Sequence, residues 1–338
     1  SNQPPTISKQ QIDAVIALFS NNNFQEAIDN ASKLMEEFHE SSILQNITGA
    51  CYAGLGEQLT AVECYKKAIA INPEYAKAHS NLGGIYFEME KFQDSIESYD
   101  RSLEIDSNNS EAHYYIAKSF KKNGSPDFAI KSYKKALEIS PSFIEALYGL
   151  GFLYQELGEL DEAVNLYQKV IEINPNLAEI RNKVGECFEA LGQLKDALLA
   201  FQKAVDINPV YSEAYNNLGN TFKATGQLDN AIKSYKKALD INPEYPALHN
   251  NLGSAYKSLG NHKDAVKSYL KGLALNPSYI DILNNLGLIY NELGEMDNAV
   301  DSFQKAIAIK PDYAEAFNNL GVTYNKFDQL EKAVHAFE

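Results

Sequence analysis

Apolar positions along this chain fall into blocks about a dozen residues long, and apolar residues within a block lie three or four apart. Within residues 212–245, the first block carries Leu218 and Phe222, and the second carries Ile232 and Tyr235. Such spacing places side chains on one face of an α-helix. Each pair of blocks therefore predicts two amphipathic helices joined by a short turn.

The same pair of blocks recurs every 34 residues without an insertion or a deletion. Nine units are complete, and a tenth stops at Glu338. Positions are numbered from the first residue of each unit, and the units begin at Ser8, Ser42, Ala76, Ser110, Ile144, Ala178, Ser212, Pro246, Ile280 and Ala314. A fixed period of this length predicts stacked helix pairs that bury a core between neighbouring units.

Small and aromatic residues recur at fixed unit positions. Glycine at position 15 and proline at position 32, each in seven units, predict the ends of the first and second helices. Position 8 is glycine in eight units and position 20 is alanine in all but one, so we expect small residues to meet where the paired helices cross. Aromatic rings at positions 11 and 24, in nine units each, predict a core that continues between units.

These residues resemble the tetratricopeptide repeat (TPR) family, and the resemblance covers residues 8–338. The tryptophan that the family usually carries at position 4 is absent from every unit. The resemblance implies an all-α, right-handed superhelical solenoid of antiparallel helix pairs, with the first helices on the concave face. It also implies a non-catalytic scaffold for protein–protein interaction, and no catalytic motif stands out against the repeats.

The predicted organisation is a single continuous solenoid. Residues 1–7 form a leader, 8–41 a degenerate N-terminal capping repeat, 42–313 eight repeats, and 314–338 a truncated tenth repeat. Because the tenth unit stops within its second helix, we expect the natural chain to continue. The alternative function follows from this: the chain is the substrate-targeting region of a larger glycosyltransferase or sulfotransferase whose catalytic domain lies beyond residue 338. Self-association through the bare terminal repeats is a further expectation.

Charge and composition limit the classes of partner that we expect. A formal charge of −15 disfavours nucleic acid and anionic lipid surfaces, and no run of 18 apolar residues predicts membrane insertion. Cys51, Cys64 and Cys187 form no CxxC pair, which favours buried free thiols in a reducing compartment. The predicted location is cytoplasmic, although a start without Met leaves the compartment open. A protein or peptide is the expected partner, and no cofactor is predicted.

Asparagines recur on the predicted first helices. Position 6 carries Asn81, Asn217, Asn251, Asn285 and Asn319, and position 5 carries Asn46, Asn182, Asn216, Asn250, Asn284 and Asn318. An amide both donates and accepts hydrogen bonds, so such a row suits the backbone of an extended peptide. The row resembles the asparagine ladder of the repeats attached to O-linked N-acetylglucosamine transferases. The alternative is that these asparagines bond only to a neighbouring helix.

Aromatic residues replace the asparagines where the ladder is interrupted. Tyr114, Tyr115, Tyr148 and Phe152 occupy first-helix positions that elsewhere carry asparagine or small residues, with Lys118, Lys121 and Lys122 nearby. Exposed rings are good anchors for a partner, so the sequence predicts an apolar docking patch with a basic rim. The alternative is that the rings fill space left by Ala117 and Gly149.

Other residue patterns favour structural roles. Asn216 and Asn220 are followed by Asp281 and Asn285 where a carboxylate clamp for acidic chaperone tails needs basic residues, so that ligand is not expected. His79, His113 and His249 share position 4, but one histidine per unit cannot converge on a metal. Lysine pairs that start at Lys66, Lys134 and Lys236 are interpreted as a solvated convex face.

Overall fold

The structure is a computed structural model that describes residues 7–337, and twenty α-helices without a strand occupy these residues. The first helices are α1 (Lys9–Ser20), α3 (Ser42–Gly54), α5 (Ala76–Glu88), α7 (Ser110–Lys122), α9 (Ile144–Glu156), α11 (Ala178–Ala190), α13 (Ser212–Ala224), α15 (Pro246–Ser258), α17 (Ile280–Leu293) and α19 (Ala314–Lys326). The second helices are α2 (Phe24–Glu37), α4 (Gln58–Ile71), α6 (Phe92–Ile105), α8 (Pro126–Ile139), α10 (Leu160–Ile173), α12 (Leu194–Ile207), α14 (Leu228–Ile241), α16 (His262–Leu275), α18 (Met296–Ile309) and α20 (Leu330–Phe337). The predicted all-α helix-pair fold is confirmed. Apart from Ile7, the predicted leader lies outside the described residues.

The chain divides into two compact parts, an N-terminal half that ends at Ile173 and a C-terminal half that begins at Asn174. Within each half, a second helix packs on the first helix of its own repeat and on that of the next repeat. Neighbouring first helices also contact one another, whereas no two second helices among residues 7–337 contact one another to a comparable extent. Each half therefore has two helical layers, and the helices of the first-helix layer are the more closely spaced. None of the described helices has the length and apolar composition needed to cross a membrane.

The turn between paired helices has a left-handed residue at position 15. The seven glycines at this position have φ between +74° and +79°. The other three repeats place Asn22, Glu90 and Asp328 there, with φ between +57° and +59°. Asparagine and aspartate adopt this conformation more readily than other L-residues, so Glu90 is the residue under most backbone strain.

Replacing Glu90 with glycine is expected to raise the free energy of unfolding by about 1 kcal/mol, because glycine adopts this φ without steric conflict. Urea unfolding followed by circular dichroism measures the change. Glu90→Ala is the matched control, since it removes the same side chain but keeps the strained Cβ. Equal stability of the two variants would contradict the explanation.

The paired helices cross with an aromatic ring lying against a glycine. A Cβ atom added at Gly83 would lie 2.7 Å from the Tyr99 ring of the same repeat, and one added at Gly219 would lie 2.6 Å from the Tyr235 ring. Position 8 therefore has to be small because the ring of position 24 lies over it. The sequence predicted that small residues meet at this crossing, but it did not predict the large ring that lies against the glycine.

The first repeat reverses the sizes at these two positions. Val15 stands at position 8 and Ala31 at position 24, and both are buried in the same core cluster. A larger residue on one helix thus accompanies a smaller one on the other, as close packing requires. The pair formed by positions 8 and 24 acts as one packing unit.

Candidate functional site

The predicted asparagines form hydrogen bonds between neighbouring first helices. In every repeat with asparagine at position 6, its Nδ2 donates to Oδ1 of the asparagine at position 5 of the preceding repeat. The pairs are Asn81 to Asn46 at 2.9 Å, Asn217 to Asn182 at 3.2 Å, Asn251 to Asn216 at 2.9 Å, Asn285 to Asn250 at 3.0 Å and Asn319 to Asn284 at 2.9 Å. Bonding to a neighbouring helix, the alternative raised by the sequence, is thus present in all five cases.

These bonds engage one side of each position-6 amide. The Oδ1 atoms of Asn251, Asn285 and Asn319 accept no hydrogen bond from any residue in the described range 7–337. All three side chains are half-buried. Because the Nδ2 atom of each amide is held by the preceding repeat, the Oδ1 atom is held as well. The C-terminal half therefore presents three fixed hydrogen-bond acceptors along its first helices.

The position-5 amides differ from one another. Nδ2 of Asn182 donates to Glu186 at 2.8 Å, and Nδ2 of Asn284 donates to Glu315 at 2.9 Å. The Nδ2 atom of Asn250 has no acceptor among residues 7–337. Repeat 8 thus presents both a donor and an acceptor, which is what one residue of an extended backbone requires.

Sequence reasoning missed two carboxylates that lie within hydrogen-bond distance of position-5 asparagines. Glu213 and Glu315 both occupy position 2, and each lies within hydrogen-bond distance of a position-5 asparagine in the preceding repeat. An acid at position 2 that follows an asparagine at position 5 is the signal that could have found them.

Among the four predicted aromatic residues, only Tyr115 is exposed, at 39%. Its ring stacks on that of Tyr99, with 5.9 Å between the ring centroids. Tyr114 is half-buried and lies 5.0 Å from the ring of Tyr115, 5.1 Å from Phe143 and 6.0 Å from Tyr133. All three of these rings belong to the same repeat as Tyr114, so Tyr114 packs within repeat 4, and Tyr115 is the ring that a partner can reach.

The rings of the next repeat are half-buried as well. Tyr148 lies 6.3 Å from Phe152 and 6.0 Å from Tyr167, measured between ring centroids. A Cβ atom at Gly149 would lie 2.9 Å from the Tyr133 ring. Tyr133, and not one of the four predicted residues, therefore occupies the space above Gly149.

The ammonium group of Lys118 lies among aromatic rings. Its Nζ is 5.1 Å from the ring centroid of Phe87, 5.4 Å from that of Tyr114 and 5.5 Å from that of Tyr115. Burial lowers the pKa of Lys118, and the charge of Lys122 lowers it further. Phe87, Tyr115 and Lys118 line a groove of about 460 Å³ between α5 and α7.

Lys121, the second predicted member of the basic rim, is already paired. Its Nζ lies 2.6 Å from a carboxylate oxygen of Glu156 and 4.1 Å from the ring centroid of Phe152. Lys118 has no carboxylate within ion-pair distance among residues 7–337. Lys118 is therefore the half-buried cation of this region that remains available to an acidic group.

Models of the tetratricopeptide repeat match the chain in adjoining or overlapping segments. The segments are 52–89, 219–260, 253–294 and 287–326 for a model described as TPR repeat, and 76–109, 110–143, 142–209 and 200–233 for models described as Tetratricopeptide repeat. Together they cover residues 52–326 without a gap. The chain belongs to the tetratricopeptide repeat family. Membership of this family indicates a protein-interaction role.

Several solved TPR-like structures are similar to the chain. A crystal structure of MamA is 30% identical, with 48% of this chain and 95% of MamA covered and a TM-score of 0.47. MamA from Desulfovibrio magneticus RS-1 is 27% identical over 50% of this chain and 96% of that one, with a TM-score of 0.48. YrrB, described as a TPR protein with an unusual peptide-binding site, is 23% identical over 56% and 97%, with a TM-score of 0.49. No curated protein matches the chain significantly.

The histidines and cysteines of the TPR units have structural environments. The ring of His79 bonds through Nε2 to the backbone oxygen of Pro73 at 2.9 Å, and that of His249 bonds to Pro243 at 3.2 Å. Burial raises the pKa of the Cys51 and Cys187 thiols to about 11. Among the described residues, no group of three or more metal-ligating side chains converges.

The two adjacent tyrosines of α7 are expected to differ in their effect on stability. Because Tyr114 contacts three rings and is half-buried, Tyr114→Ala should lower the free energy of unfolding by about 2 kcal/mol. Tyr115→Ala should cost less than half as much, since its ring is more exposed. Urea unfolding of both variants measures the difference, and the reverse order would contradict the assignment of Tyr114 to the packed interior of its repeat.

Proposed function

We propose that this TPR chain is a non-catalytic scaffold that binds an extended peptide segment of a partner protein along its first helices. The observation that carries the proposal is the row of fixed, unoccupied Oδ1 atoms on Asn251, Asn285 and Asn319. An extended backbone presents N–H groups at regular intervals, and carboxamide oxygens accept from them without reading the side chains. Broad sequence tolerance is therefore expected.

The hydrogen bonds between repeats favour this function. Binding a flexible peptide loses less free energy when the receptor groups already have their bound orientation. Each ladder amide is held through Nδ2 by the preceding repeat, so its oxygen needs little further ordering. The same bonds that stabilise the stack of repeats thus prepare the acceptors for a ligand.

The aromatic residues of the N-terminal half support a second contact region on the first helices of that half. Tyr115 offers an exposed ring, and Lys118 offers a cation without a carboxylate partner among residues 7–337. Asn81 lines the same groove. A partner side chain with an apolar body would pack against Tyr115, as aromatic anchors do in other interfaces.

Amide hydrogen exchange tests the proposed location. Peptides of twelve residues are selected from a random library on the immobilised chain, and exchange is measured with and without a selected peptide. We expect slower exchange in α13, α15, α17 and α19, and unchanged exchange in α14, α16 and α18. Protection confined to the second helices, or a library that yields no binding peptide, would overturn the proposal.

A further inference from the structure

The second-helix layer carries grooves between neighbouring repeats. One groove of about 580 Å³, which we call the outer groove, lies between α14 and α16. Its lining includes Leu239, Leu252 and Tyr256, three lysines (Lys236, Lys267 and Lys271) and two aspartates (Asp240 and Asp264). A groove of about 610 Å³ between α8 and α10 has residues at equivalent positions, including Lys134, Leu150 and Tyr154. The chain thus contains two copies of one kind of groove, which differ in their charged residues.

Two lysine positions are common to both grooves, and one of them is engaged within the repeat stack. Lys236 Nζ lies 5.6 Å from the ring centroid of Tyr256, and Lys134 Nζ lies 5.7 Å from that of Tyr154. A hydrogen bond to the Tyr256 hydroxyl raises the pKa of Lys236. These lysines therefore join neighbouring repeats, and a solvated convex face does not account for them fully.

The outer groove has one cation that its counterpart lacks, and it lacks one of the counterpart's carboxylates. Position 22 is Lys267 in the outer groove but Asn165 in the counterpart, and position 16 is Asn261 where the counterpart has Glu159. Lys267 and Lys271 are exposed, and neither has a carboxylate within ion-pair distance among residues 7–337. The two lysines are four residues apart on α16 and so project from the same helical face.

The helices on either side of the two grooves also differ in net charge. The sequences of α14 and α16 contain six lysines and three aspartates, an excess of three positive charges. Those of α8 and α10 contain four lysines and five acidic residues. The lining of the outer groove has three lysines and two aspartates, whereas that of the counterpart has two lysines and three glutamates. Against a formal net charge of −15 for the chain, the outer groove therefore has a small local excess of positive charge.

We propose that the outer groove binds an acidic peptide segment of a partner protein. Lys267 and Lys271 would donate to carboxylates of that segment, and Leu239 and Leu252 would contact the aliphatic parts of its side chains. Acidic segments are repelled by most of the exterior, so the positive groove directs them to repeats 7 and 8. Both lysines lie on α16, a second helix, whereas the ladder asparagines lie on first helices, so we expect the two surfaces to bind independently.

Fluorescence polarisation tests the proposal with a fluorescein-labelled peptide of ten glutamates. Because two exposed charge pairs contribute about 0.2 to 1 kcal/mol each, the double variant Lys267→Gln/Lys271→Gln should bind about two- to thirtyfold more weakly. The matched control is Lys134→Gln/Lys169→Gln in the counterpart groove, which removes equal charge and should change affinity less than about twofold. Binding should also weaken as salt is raised.

Three results would overturn the proposal. They are the absence of binding to the unaltered chain at low salt, an equal loss of affinity in both double variants, and tighter lysine-dependent binding of a ten-residue oligothymidylate or of phosphatidylserine vesicles than of the glutamate peptide. Retention of glutamate-peptide binding by a chain with alanine at Asn251, Asn285 and Asn319 is the expected result. Loss of binding in that chain would place the site on the first helices and contradict the proposal.

Discussion

Alanine at Asn251, Asn285 and Asn319 is expected to weaken binding of a library-selected peptide by at least about tenfold. Each substitution removes one fixed acceptor. A single hydrogen bond contributes about 0.5 to 1.5 kcal/mol, and 1.4 kcal/mol corresponds to a tenfold change in Kd. Isothermal titration calorimetry measures the affinity of the triple variant.

The control for this variant removes two of the same hydrogen bonds from the accepting side. Alanine at Asn216 and Asn284 deletes the Oδ1 atoms that accept from Asn251 and Asn319, but it leaves the three position-6 oxygens and the Asn250 donor in place. This double variant should lose stability, because two bonds between repeats are removed, but it should lose less affinity than the triple variant. Equal losses of affinity would mean that the ladder acts only through the packing of the repeats.

Valine at Gly83 is expected to lower the free energy of unfolding by about 3 kcal/mol. Three atoms of the Tyr99 ring lie within 3.0 Å of the position where a Cβ atom would stand. Overpacking of this kind displaces side chains from their preferred rotamers. Adding Tyr99→Ala should recover part of the loss, because the first repeat already pairs Val15 with Ala31. Urea unfolding of both single variants and the double variant measures a coupling energy of about 1 to 2 kcal/mol.

The adjacent Gly84 provides the control for Gly83. A Cβ atom there would lie 3.3 Å from the Tyr99 hydroxyl, and the tenth repeat carries Val322 at the same position. Gly84→Val should therefore change the free energy of unfolding by less than about 1 kcal/mol, since helix propensity favours valine over glycine. A large loss at Gly84, or additive effects of Gly83→Val and Tyr99→Ala, would contradict the paired-size explanation.

The fold could be predicted from the sequence because the same residue types recur at the same positions of successive repeats. Glycine at position 15 and proline at position 32 mark helix ends through the backbone properties of single residues. The exceptions could not be predicted so simply. Glu90 adopts the left-handed conformation because the surrounding helices fix the turn, and that constraint arises from tertiary packing.

The candidate site could be predicted only in part. Recurrence at positions 5 and 6 identified the asparagines, but it did not show that Nδ2 of Asn251 bonds to Asn216 in another repeat. Which atoms remain free depends on how neighbouring first helices are spaced, and a linear pattern does not contain that distance. The aromatic residues illustrate the same limit, since Tyr114 and Tyr115 are adjacent in sequence but differ in exposure.

The most direct test of the central claim combines the ladder variant with a backbone-modified peptide. Methylating alternate backbone nitrogens of a selected peptide removes its N–H donors and leaves its side chains unchanged. The unaltered chain should lose at least about tenfold in affinity for the methylated peptide, and the chain with alanine at Asn251, Asn285 and Asn319 should lose much less. Equal losses in the two proteins would show that the ladder oxygens do not accept from the peptide backbone.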